Sequence, residues 1–170
     1  IDFTIAGWFY FDTLVAQGSG LISKFKTGDY NYLLYDDDVN FNWLVRKADN
    51  SAAVAITSTE VIESGRWYFV VVYHDAANDV IGISVNNGSP NTAAIAGGVR
   101  DSAIPLEIGR YDVAQYFNGK IDEVAFWKRT LTAAERTQLF SDGLDLHGAG
   151  SGRIYRTRDT ATKIEGTGSE

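Results

Sequence analysis

Phe117-Asn-Gly-Lys-Ile-Asp-Glu-Val-Ala-Phe-Trp127, followed shortly by Leu131-Thr-Ala-Ala-Glu135, is the stretch that decides the fold. Its first part reads as a strand over Lys120–Trp127. Its second part is a helix start. Thr132 and Glu135 have capping-box spacing, so the hydroxyl and the carboxylate each satisfy a backbone amide that the first helical turn leaves free. Ala133, Ala134, Leu139 and Phe140 give the helix an apolar stripe, and Gly143 is placed to stop it. A helix of two to three turns, on the order of ten residues, is not stable alone and needs a sheet to pack against.

Upstream, short alternating or β-branched runs recur between Gly, Asn, Asp and Ser turns. They predict strands at Phe3–Phe11, Leu21–Lys24, Tyr30–Tyr35, Val39–Arg46, Ala53–Thr59, Trp67–His74, Val80–Val85 and Leu106–Ile108. Strands at this spacing, without intervening helices, indicate a two-sheet sandwich rather than βαβ units. Asp36-Asp37-Asp38 closes a hairpin. With Asp37-Asp38 as a two-residue loop, Leu34 faces Phe41 and Tyr32 faces Trp43. Tyr30, Tyr32, Leu34, Phe41, Trp43 and Val45 then make a core face, because side chains alternate along a strand. Asn31, Leu33, Tyr35, Asn40, Asn42, Leu44 and Arg46 make the wetter one.

Composition narrows the function classes. The formal net charge of −7 argues against non-specific binding to nucleic acid or to anionic membranes, since both demand a basic surface. With no cysteine there is neither a disulfide nor a thiolate metal site. No apolar run has the length of a membrane helix. The chain also has no methionine, so it reads as a piece of a longer protein. From His147 onward the composition turns to Gly, Ser, Thr, Arg and Asp. Residues 147–170 therefore read as a linker or loosely attached edge segment, leaving 1–146 as the domain.

Three segments together resemble the laminin-G-like, concanavalin A-like lectin/glucanase superfamily: Phe3-Thr-Ile-Ala-Gly-Trp8, Glu63-Ser-Gly-Arg-Trp67-Tyr-Phe-Val70, and the opening Gly-x-Ile-Asp-Glu-Val strand with its helix. Ile83-Ser-Val-Asn86 and Leu106-Glu-Ile-Gly109 fit in order between them. The resemblance implies an all-β, two-sheet antiparallel jelly-roll with one short helix near the C-terminus. It also implies that Asp122 helps to hold a structural calcium together with a carbonyl near Gly20; the alternative is that Asp122 bridges backbone groups without metal. Because fold alone does not fix function, the site residues must be argued separately.

A retaining glycosidase needs two carboxylates on one strand face, about 5 Å apart. Asp122 and Glu123 are adjacent, which for a regular strand puts them on opposite faces. No catalytic residue is therefore assigned. Aromatic rings stack on sugar faces while amides and arginines bond hydroxyls. This selects Tyr35, Asn40, Asn42 and Arg46 on the wetter hairpin face, and Tyr111, Gln115 and Tyr116 in the loop after Gly109. The expected function is a non-catalytic recognition module for a glycan or glycoconjugate within a larger extracellular, cell-surface or virion protein. Neighbouring domains of the parent protein are the other expected partners. The alternatives are an assembly domain without a small ligand and, third, a glycoside hydrolase of the same fold.

Overall fold

The computed structural model describes residues 1–147. Two five-stranded antiparallel sheets face each other. The first has the order β12-β1-β6-β7-β8, from Gly119–Trp127, Phe3–Phe11, Trp67–Asp75, Val80–Val85 and Asn91–Ala94. The second has the order β5-β4-β3-β2-β9, from Ala53–Val61, Asn40–Arg46, Asp29–Asp36, Gly20–Lys26 and Glu107–Ile108. A small ribbon, β10 (Arg110–Tyr111) with β11 (Gln115–Tyr116), stands beside the second sheet, and one helix, α1 (Ala133–His147), follows β12. This is the expected sandwich. The sequence reading omitted β8, β10 and β11, which are four residues long or shorter and carry no clear alternation.

Alternation places the core. Along β1, Ile5, Phe9 and Phe11 enter the space between the sheets, while Ala6 and Trp8 face outward beneath α1. β6 is apolar on both sides because both are covered: Tyr68, Val70 and Val72 join the main core, and Phe69 and Val71 join Trp8 under the helix. Leu139 and Phe140 supply the helix side of that second cluster, with the Phe140 ring stacked 5.8 Å from Trp8.

The β3–β4 hairpin pairs Leu34 with Trp43 and Asp36 with Phe41, a shift of two residues from the predicted register. The loop is longer because the Asp37 carboxylate accepts the Val39 and Asn40 amides, and Asp38 takes a positive φ of 76°. A slip of two keeps every residue on its face, so Leu34, Phe41, Trp43 and Val45 are buried as expected. Tyr30 is the exception: its ring leaves the core to stack on Phe25. Asp36, the first of the three acidic residues that close this hairpin, is fully buried and accepts the Ser19 amide at 3.0 Å as well as the Ser19 hydroxyl. Burial raises its carboxyl above the ordinary carboxylate range even so.

The helix does not stop at Gly143. It continues to His147, so His147 belongs to the domain and not to the tail. Gly143 serves close packing instead, since a Cβ there would lie 2.2 Å from the Trp8 indole nitrogen. The capping box forms as expected: the Glu135 amide donates to Thr132 Oγ1, and the Thr132 amide donates to the Glu135 carboxylate. Arg129 pairs with the same carboxylate and, with the cap, holds its pKa down to about 2. The remaining predicted tail, 148–170, lies outside the described residues.

Candidate functional site

On the face of the second sheet turned away from the core, four aromatic rings follow one another. Tyr35 lies 6.1 Å from Tyr111, Tyr111 meets Phe25 edge-on at 5.4 Å, and Phe25 stacks on Tyr30 at 4.9 Å. Arg46 closes the row with its guanidinium 5.4 Å over the Tyr30 ring. All five residues are half-buried: held by the protein on one side and open on the other.

Local structure explains the row. Thr27-Gly28, with Gly28 at a φ of 89°, turns β2 into β3 and sets Phe25 opposite Tyr30. Residues 109–111 are pressed onto β2, where Ser23 Oγ donates to the Arg110 carbonyl at 3.0 Å. The absent side chain of Gly20 makes that approach possible, because a Cβ there would lie 2.4 Å from the Arg110 carbonyl carbon. Tyr35 and Tyr111 both have hydroxyls pushed upward in pKa, chiefly by burial. They therefore remain neutral donors and acceptors at physiological pH.

The structure thus brings Tyr35, Tyr111 and Arg46 into one row but spends the amides elsewhere. Asn42 is only 5% exposed and accepts the Thr57 hydroxyl at 2.7 Å, while Asn40 donates to the Glu60 carbonyl at 2.8 Å. Arg46 is itself a clamp, giving Nε and a terminal nitrogen to Asn50 across the β4–β5 turn. Gln115 and Tyr116 lie on the β10–β11 ribbon. Tyr116 is exposed and has the Arg110 guanidinium 5.9 Å from its ring. Sequence reasoning missed Phe25 and Tyr30. The signal was the Thr27-Gly28 turn, which fixes their pairing.

Asp122 and Gly20 stand in different sheets, and the structure does not bring them together. Asp122 pairs with Trp8 and turns outward; one of its oxygens accepts the Glu123 amide at 2.8 Å and the other lies 3.6 Å from His147 Nε2. A bulge in β12, with Glu123 at a φ of 50°, breaks the alternation. Glu123 consequently reaches the same imidazole at 3.9 Å, and the two carboxylates share a side instead of opposing each other.

A family model for the concanavalin A-like lectin/glucanase superfamily matches residues 1–135, most of the described domain. The chain belongs to this superfamily. Among curated protein sequences none matches it. Of solved structures of the lectin/glucanase fold, a Bacteroides ovatus protein assigned to carbohydrate binding superposes with a TM-score of 0.66 at 20% identity, over 81% of this chain and 40% of that one. The chain therefore spans less than half of that relative's length. The CBM40 of the Ruminococcus gnavus IT-sialidase, bound to α2,3-sialyllactose, gives 0.64 at 17% identity over 82% of both chains. Domain 4 of AbnA, an extracellular GH43 arabinanase from Geobacillus stearothermophilus in complex with arabinotriose, gives 0.63 at 16% identity over 81% of this chain and 66% of that one. At these identities the likeness shows the two-sheet fold alone.

A concave feature of this sandwich lies between its sheets. A pocket of about 440 Å³ opens where the end of β12, the start of β1 and the segment 99–101 meet β2 and β3. Phe3, Tyr32 and Phe126 give it aromatic walls, and Lys24, Arg100, Asp101 and Lys128 stand around it. Tyr32 lies 5.6 Å from Phe3, and burial together with nearby Asp101 pushes its hydroxyl pKa up to about 12.

Proposed function

We propose that this domain is a non-catalytic carbohydrate-binding module of a larger extracellular protein, and that it takes a sugar chain along the Tyr35–Tyr111–Phe25–Tyr30 row. The carrying observation is that row, whose successive ring centroids lie 6.1, 5.4 and 4.9 Å apart on an outer sheet face. Rings of this kind offer apolar faces to the C–H side of a pyranose, and tyrosine hydroxyls add polar contacts at the edge. Most of the surface is fixed in place before binding, which lowers the ordering cost.

Two of the similar structures support the reading, since each holds an oligosaccharide on the same kind of sandwich. The absence of a catalytic assignment rests on chemistry. Of the carboxylates beside the row, Asp37 is taken up by the Val39 and Asn40 amides and Asp112 by the Thr27 hydroxyl, and Asp122 and Glu123 face an imidazole beneath the helix, away from it.

A glycan array followed by calorimetry tests the proposal. At least one neutral oligosaccharide binds the wild type. Tyr35→Ala with Tyr111→Ala weakens it by about tenfold or more, in line with losing about 1–3 kcal/mol of stacking and packing, while circular dichroism stays unchanged. An array without signal, or binding that survives both substitutions, overturns it.

A further inference from the structure

We propose that the pocket between β12 and the segment 99–101 is a second ligand site, and that it takes a single acidic sugar ring, carboxylated or sulfated. Its location owes nothing to the aromatic row; its ligand class rests on the carbohydrate-binding reading. At about 440 Å³ it falls within the size range of small-molecule sites, which runs from roughly 300 to 1,000 Å³. Phe126 is the unusual element. Its backbone position pairs with the core residue Ile5, so the ring belongs to the inner face, yet it is 45% exposed. Together with Phe3 and Tyr32 it leaves an aromatic surface open between the sheets, suited to the flat apolar side of a sugar ring.

The charges select an anion. Lys24, Arg100 and Lys128 stand at the pocket in a chain whose net charge is −7. Arg100 gives Nε to Asp29 at 2.8 Å, which fixes the guanidinium without consuming its terminal nitrogens. Lys24 has only a loose partner, Asp101 at 3.6 Å, whose own side chain is 87% exposed. Lys128 is exposed and makes no ion pair among the described residues. Three cations against two carboxylates favour a ligand that brings its own negative charge and accepts charge-assisted hydrogen bonds. A neutral ring would meet the same aromatic walls without that gain.

Calorimetry of the chain with glucuronate, glucose 6-sulfate, glucose and cyclohexanecarboxylate, with ring-proton NMR of Phe3, Tyr32 and Phe126, tests the assignment. At least one of the two acidic sugars binds with a dissociation constant of about 1 mM or tighter, shifts those rings and weakens as salt rises; which of them does so names the acid. Lys128→Glu changes an exposed residue, so it folds normally, and it weakens binding by about tenfold. Phe126→Ala also weakens it, and Tyr111→Ala leaves it unchanged. Glucose binding as tightly as glucuronate, cyclohexanecarboxylate binding as tightly as either acidic sugar, or Lys128→Glu having no effect overturns the assignment. Loss of oligosaccharide binding on Tyr111→Ala with acidic-sugar binding intact separates the two sites.

Discussion

Gly143 shows how a single residue can be misread from its type. In a sequence it is a helix stop; in the molecule it is the point at which the helix backbone touches the Trp8 indole, with no room for a Cβ at 2.2–2.7 Å. Two effects of Gly143→Ala oppose each other. Removing glycine from a helix interior stabilises by about 0.5–1 kcal/mol. Forcing a methyl group into a closed, fully packed contact costs about 1–3 kcal/mol. The buried indole has little freedom to move, so the packing cost wins, and urea denaturation shows a net loss of roughly 1–2 kcal/mol. An equal or higher denaturation midpoint would mean that the helix moves off the sheet without penalty. Asp36 makes a related point, because an acidic triplet that looks solvated contains one carboxylate closed in by Ser19.

Helix α1 is held at both of its ends by different physics. At its start, Thr132 and Glu135 satisfy free amides, an arrangement legible in the sequence because it depends on spacing alone. At its end His147 is 7% exposed, with its ring 4.3 Å from Trp67 and 4.9 Å from Trp8. Burial lowers its pKa, against the opposing pull of Asp122 and Glu123. With the folded value below the unfolded one, the unfolded state binds the proton more readily. The stability associated with neutral His147 is therefore complete above the ordinary histidine value of about 6.5 and is lost as the pH falls through the folded value. Thermal unfolding between pH 8 and 5 shows a falling midpoint with tryptophan fluorescence changing in step, and His147→Leu flattens that slope. An unchanged slope in the variant assigns the effect to other groups.

At the scale of the whole molecule, the sandwich has two apolar interfaces and only one is internal to the sheets. The second, built on Ala6, Trp8, Phe69 and Val71, is covered among the described residues by the helix, with Trp67 and Trp127 packed beside it. Ending the chain at Thr130 uncovers it. The truncated protein then binds a hydrophobic dye, melts at a lower temperature than the parent and tends to self-associate, as an open apolar sheet face does. Dye binding equal to that of the intact chain would show the helix to be dispensable. The two proposed ligand surfaces depend on the same architecture in different ways. The aromatic row lies on the outer side of one sheet, whereas the acidic-sugar pocket exists only because two sheets stand face to face.

How much of this was legible from the chain follows from the range of each interaction. Strand positions, the burial of Leu34, Phe41, Trp43 and Val45, and the helix cap depend on neighbours two to four residues away, so the sequence by itself determined them. Alternation also put Tyr35 and Arg46 on the outer face of their strands. It could not show that Asn40 and Asn42 are already spent on Glu60 and Thr57, since those bonds reach across to β5. Nor could it place Asp122 and Glu123 on one side, because a bulge opposite Gly7 is decided by how β12 meets β1. The register of the second hairpin, the closure of Gly143 on Trp8 and the pocket beside Phe126 were likewise left to tertiary structure. Each requires segments far apart in the chain to meet at atomic distance, and periodicity carries no information about which atoms will meet.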